Sequence, residues 1–365
     1  MSTFLAAGAL TAILILALRS LAPRFGLLDR PGGHKQHREP VPVIGGIAMF
    51  LSIALLEIGQ RDLGLGGSVI WALGLVVATG VIDDRYGMPP LLKMAVQALA
   101  ALVVVFSDGL MLASLGDLFG FGEVRLGWLA VPFTIFAVVG IINAANMFDG
   151  LDGLAGSMGV VALAWFAAAA LILGLTVQMD EIFVLKGALI GFLLFNMRFP
   201  WRRRAAVFMG DAGSMMLGFV LAWIAMVLSQ RPGGMPPIVA VWILALPILD
   251  TLSVMARRIR KGRNPFAPDR EHLHHVLERA GLSVERTVVV LAAASSAFGL
   301  VGLAAWRAGV PEAAMFYAFL LLLALYHWAM ARAWRIATRA RRILGSGNGP
   351  GHFPEAQAKL EGDIR

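Results

Sequence analysis

The stretch Asn143-Ala-Ala-Asn-Met-Phe-Asp-Gly-Leu-Asp-Gly-Leu-Ala-Gly156 sets four polar side chains, Asn143, Asn146, Asp149 and Asp152, between two long apolar runs. Its two Asp-Gly pairs lie three residues apart, so at a helix end both carboxylates share one face while the glycines let a ligand approach the backbone. Asn, Asp and Gly also make ordinary turns between helices, which is the competing reading. Ionised carboxylates at the edge of a bilayer are costly, and that cost favours a site.

Other segments carry similar groups. Asp83 and Asp84 end an apolar run; adjacent carboxylates at a helix C-terminus repel each other and meet the negative end of the dipole, so they call for a cation or for solvent and Arg85. Lys93, one turn into the next run, suits a phosphate or a snorkelling role. Asp211, in Phe208-Met-Gly-Asp-Ala-Gly-Ser214, can reach a metal while the helix N-terminus behind it offers N–H groups to an anion; it also fits a plain N-cap. Arg270 precedes His272, His274 and His275, and His34-Lys35-Gln36-His37 is a smaller cluster of the same kind. Both suit pyrophosphate oxygens better than zinc, and the smaller one equally suits lipid head groups. Asp250 reads as packing or support for the site. Together these groups suit phosphoryl chemistry assisted by Mg²⁺, or Mn²⁺ in its place, in which catalysis is mostly positioning and charge neutralisation.

The elements that must position these residues are membrane helices. The 365 residues are 58% hydrophobic and 15% charged, with mean hydropathy +0.76, which excludes an ordinary soluble domain. The absence of Cys removes disulfides and thiolate metal sites. Apolar runs at 3–22, 43–58, 68–82, 91–107, 128–145, 157–177, 182–197, 212–229, 236–255, 287–306 and 311–331 predict an all-α polytopic protein of about eleven transmembrane helices. The first run has no basic n-region and reads as a helix that is kept.

With alternating sides, 25 of the Lys and Arg fall on one side and four, Arg61, Arg125, Arg231 and Arg307, on the other. This places the N-terminus outside and the C-terminus in the cytoplasm. Every chemical segment then falls on the basic, cytoplasmic side. The net charge of +8 lies in short loops, where it sets topology and meets membrane lipids; nucleic acid is discounted. Residues 1–342 read as one transmembrane domain and 343–365 as a disordered tail.

Five of these pieces, in order along the chain, resemble the polyprenyl-phosphate N-acetylhexosamine-1-phosphate transferases. They are Lys35-Gln-His37 with Pro42 and Gly45-Gly46, Asp83-Asp84-Arg85, Asn143 to Gly153, Phe208 to Gly213, and Pro265 to His275. The resemblance implies a ten-or-eleven-helix fold with a cytoplasmic cleft, in which a sugar 1-phosphate passes from UDP-GlcNAc to undecaprenyl phosphate, in an inner-membrane protein that could form a homodimer. It implies that Asp211 and Asn146 hold Mg²⁺, that Asp152 contacts the uracil, and that Asp149 belongs to the same binding loop. Asp83 and Asp84 would lie beside the lipid phosphate, Asp83 as base or orienting group. Lys35, Lys93, Arg270, His272, His274 and His275 would face the pyrophosphate and sugar. Lys93 stands where relatives carry Arg, which affects contact geometry alone. The UDP-MurNAc-pentapeptide branch is the near alternative, but its run of consecutive histidines is His-Leu-His-His here. A secondary transporter is the remote one; its polar groups belong near the midplane, often with repeat symmetry, and no repeat is evident.

Overall fold

The computed structural model describes residues 2–29, 40–59, 65–262 and 272–343. Among them helices dominate, and the extended structure amounts to one two-residue ladder and three isolated bridges. Helices α1 (Ser2–Arg19) and α2 (Ala22–Phe25) lead to strands β1 (Leu28–Asp29) and β2 (Val41–Pro42), which pair antiparallel. Then follow α3 (Gly45–Gly59), α4 (Gly66–Tyr86), α5 (Pro90–Asp108), α6 (Ala130–Phe148), α7 (Leu154–Ile172) and α8 (Thr176–Asn196). The rest are α9 (Gly210–Ser229), α10 (Pro237–Ile243), α11 (Ala245–Arg260), α12 (Leu273–Arg279), α13 (Val284–Arg307) and α14 (Glu312–Ile343).

The all-α, multi-pass architecture expected from hydropathy is present. Eight helices among the described residues are long and apolar enough to cross a membrane. Each of the eleven apolar runs is helical, but they are not all alike. α3 has 15 residues. The run at 236–255 is no straight rod: α10 and α11 meet at 80°. Pro247 explains the break, because it has no N–H for the Ile243 carbonyl four residues back and its ring crowds that same carbonyl.

α9 is the hub. It is apolar on every side and 89% of its spanning window is buried, as a helix with no lipid-facing stripe must be. Small residues let α3 and α4 touch its backbone. A Cβ added to Gly80 would stand 2.2 Å from Ala212 Cα, and one on Gly46 would stand 2.2 Å from the Gly213 nitrogen. α1 and α8 meet similarly, Gly187 against Phe4 and Gly191 against Gly8. These pairs ascend together, so α1 and α8 run parallel, as the first and seventh of eleven alternating apolar runs should.

Candidate active site

Asp83 and Asp84 close α4. The chain leaves the helix at Gly87, whose φ of +72° only glycine takes freely, and re-enters a helix at Pro90. This tight turn carries Lys93 back over Asp83. Its ammonium lies 2.5 Å from Asp83 Oδ2 and 3.2 Å from Asp211 Oδ2, so one cation holds together the carboxylates of α4 and α9. Asp84 faces the other way: it accepts hydrogen bonds from the backbone N–H groups of Asp211 (2.9 Å) and Ala212 (3.3 Å), and so caps α9 from a neighbouring helix. The cap on α9 is thus Asp84 and not Asp211, whose carboxylate is turned instead to Lys93 and Asn146.

Asn146, on α6, donates to Asp211 Oδ1 and to Ser214 Oγ, both at 2.9 Å. Asn143, one turn earlier, donates to Gln97 Oε1 at 2.7 Å. Asp149 sits in the turn after α6. Burial, aided by the charges of Asp211, Asp84 and Asp152, pushes its carboxyl up to about 8, so it is mostly protonated at neutral pH. Asp152 accepts from Arg198 Nε (2.7 Å) and the Ala205 N–H (3.2 Å) through one oxygen. The other oxygen is left for a ligand. Asn196 fastens this region by accepting from Gly153 N–H and donating to the Val207 carbonyl.

The imidazoles stand over the same turn. His274 Nε2 would be 2.5 Å from a Cβ at Gly150, and the ring packs edge-on against Phe148. His274 is buried with neither ring nitrogen partnered. Burial and the neighbouring His275 and His272 lower it to about 3, so it is a neutral donor and acceptor. His272 is also buried and turns Nδ1 to Asp250. His275 is partly exposed, 3.5 Å from Glu278. Lys35 and Arg270 lie outside the described residues.

Asp83, Asp84, Lys93, Asn146, Asp149, Asp152, Asp211 and the imidazoles therefore gather at one end of the bundle, carried by five helices and two turns. Residues without an assigned role in the sequence complete it: Gln97, Asn196, Ser214, Arg198 and Tyr326. Their common signal is a polar side chain inside or just beyond an apolar run. Among the described residues no three His, Asp or Glu side chains are grouped to hold a metal by themselves. The oxygens of Asp83 and Asp211, drawn to one cation already, fit a hard divalent ion that takes its remaining ligands from water or phosphate.

Glycosyl transferase family 4 matches residues 67–229, which hold α4, α5, the Asn143–Gly153 stretch and all of α9. Three relatives are named undecaprenyl-phosphate alpha-N-acetylglucosaminyl 1-phosphate transferase. That of Haemophilus influenzae is 35% identical over 90% of this chain and 93% of its own. Those of Salmonella typhi and Escherichia coli K12 are 36% and 35% identical over 91% of both chains. With relatives this similar over nine-tenths of its length, the chain belongs to glycosyl transferase family 4.

Proposed function

We propose that this protein transfers N-acetylglucosamine 1-phosphate from UDP-GlcNAc to undecaprenyl phosphate, giving undecaprenyl-diphospho-GlcNAc and UMP. It would do so in the bacterial inner membrane, with the site on the cytoplasmic side and the N-terminus outside. The observation that carries the reading is the meeting of Asp83, Lys93 and Asp211 at the end of spanning helices, in a chain that matches the named relatives over nine-tenths of its length.

A phosphate monoester has its second pKa near about 6, so the lipid phosphate is already a dianionic nucleophile at neutral pH. Its oxygen attacks the sugar-bearing β-phosphorus, the bond from that phosphorus to the bridging oxygen breaks, and UMP leaves with the electron pair. Little proton transfer is needed, so Asp83 orients the acceptor and Lys93 neutralises charge. Asp83 and Asp211, with Asn146 beside them, would hold Mg²⁺, which when bound supplies neutralisation of the pyrophosphate. Asp152 would meet the uracil with its open oxygen, and His274, as a neutral imidazole over Gly150, would hydrogen-bond the sugar phosphate.

The test is incubation of purified membranes with labelled UDP-sugars and undecaprenyl phosphate. A lipid-linked GlcNAc diphosphate and equimolar UMP are expected. UMP release by the enzyme alone, in a burst equal to the enzyme present, would instead establish a phosphoaspartyl route.

A further inference from the structure

The basic run after α8 has no place in that chemistry beyond Arg198. Its tip holds Trp201, 81% exposed, with the indole stacked on Phe199 at 5.0 Å and 2°. Arg202 lies over the Phe199 ring, 5.2 Å from its centroid, and donates to the Leu194 and Met197 carbonyls at 2.5 and 2.8 Å. Its Nε is buried without a partner. Arg203 and Arg204 are exposed, and among the described residues neither has a carboxylate within ion-pair distance. Burial and the nearby Arg19 both oppose the charge of Arg202, an opposition that an anion beside it would relieve.

Directly beneath lies a groove of about 350 Å³ between α7, α8 and α13, lined by Val160, Val161, Ile190, Leu193 and Ala292, with Phe199 at its mouth. Its walls are almost wholly apolar. A slot of this kind topped by a belt tryptophan and unpaired arginines is complementary to one amphiphile: a hydrocarbon chain below and an anion above. α4, which carries Asp83 and Asp84, packs on α3, α5 and α9, whereas the groove is built on α7, α8 and α13. The groove and the paired carboxylates are thus carried by different helices, each set packed on α9, so this amphiphile is a second lipid beside the reacting one.

We propose that the groove and the arginines above it form a binding site for one anionic phospholipid. An acyl chain fills the slot and the head-group phosphate meets Arg202, Arg203 and Arg204. Such a lipid would brace the loop between α8 and α9, whose base carries Asp152's partner Arg198 and leads into Asp211.

Native mass spectrometry of the detergent-purified full chain, titrated with phosphatidylglycerol or phosphatidylcholine of the same acyl chains, tests this. The wild type should retain one phosphatidylglycerol in preference to phosphatidylcholine. The Arg203→Ser/Arg204→Ser variant should reduce that preference about thirtyfold, the worth of two interfacial charges. These side chains are exposed, so folding should survive, and an unchanged melting temperature in lipid-free detergent checks it. Val161→Trp, which fills the slot, should lower retention of both lipids. Equal retention of the two lipids by the wild type, or an undiminished preference in the double variant, overturns the proposal. So does displacement of phosphatidylglycerol by equimolar undecaprenyl phosphate, which would make the groove the acceptor's own. None of these readouts depends on turnover, so the outcome is independent of the transferase reading.

Discussion

His272 turns Nδ1 to within 2.7 Å of Asp250, a carboxylate with no exposed surface, and Tyr326 on α14 donates to the other oxygen of that carboxylate from 2.7 Å. The Leu273 N–H completes the set at 3.1 Å. Asp250 thus fixes the start of α12, and with it the ring of His274 above Gly150.

Tyr326→Phe keeps the ring and removes one hydrogen bond to a buried charge, a loss of about 1.5–3 kcal/mol. The hypothesis is that Asp250 and Tyr326 position the imidazoles, so turnover should fall about tenfold while affinity for the lipid acceptor is unchanged. Asp250→Asn should be more severe and Asp250→Glu should recover part of the loss. Steady-state kinetics against each substrate decide: wild-type turnover in Tyr326→Phe would refute the idea.

Asp84 and Asp83 should separate in their effects. Because Asp84 caps α9, Asp84→Ala should lower stability by about 1–2 kcal/mol as well as activity. Asp83→Asn should slow turnover severely with stability little changed. Thermal melts alongside rates would show it, and equal destabilisation by the two variants would count against the division of labour.

Two groups set opposite limbs of the stability profile. Asp149 is raised to about 8, so the folded state binds the proton more tightly than the unfolded chain; its neutral form is favoured, and stability declines as pH rises from about 4 to about 8. His274 is lowered to about 3, so the unfolded chain takes the proton first, and stability declines as pH falls from about 6.5 toward 3. The two slopes cancel between about pH 4 and 6.5, so a plateau there, falling away on either side, is expected without divalent cations. Asp149→Asn should flatten the alkaline limb; melting temperatures across pH that fall just as steeply in that variant would rule Asp149 out as the cause.

Orientation can be read by cysteine labelling, since the chain has no Cys of its own. Glu123 lies in the loop between α5 and α6, with a half-exposed side chain, and Arg203 lies in the loop after α8. In intact cells an impermeant thiol reagent should modify Glu123→Cys and spare Arg203→Cys. The reverse pattern would invert the proposed topology.

What was legible in the sequence was local. Apolar length located eleven helical runs, acid–glycine patterns marked Asp149, Asp152 and Asp211, and their adjacency at the end of an apolar run marked Asp83 and Asp84, as groups that apolar packing does not require. What was not legible depends on contacts between distant segments. Asp250 could be given no more than a supporting part, because its partners are 22 and 76 residues away. Asp152 looked like a free ligand, yet Arg198, 46 residues on, holds one of its oxygens. The division between Asp83 and Asp84 was hidden too, since it depends on where α9 begins against α4. Pro247 did announce the break between α10 and α11, but hydropathy averaged over that run smooths it away.

The placement of Asp83, Lys93 and Asp211 at the ends of spanning helices changes what concentration means for the acceptor. On the proposed reading, undecaprenyl phosphate reaches these residues by lateral diffusion within one leaflet, never passing through water. Its supply is then counted in molecules per unit of membrane area. Adding inert lipid or detergent at constant bulk molarity should slow the reaction, while enlarging the aqueous volume should leave it unchanged at saturating UDP-GlcNAc. The two substrates thus obey different geometries, a two-dimensional one for the acceptor and a three-dimensional one for the nucleotide, and the enzyme works where they intersect.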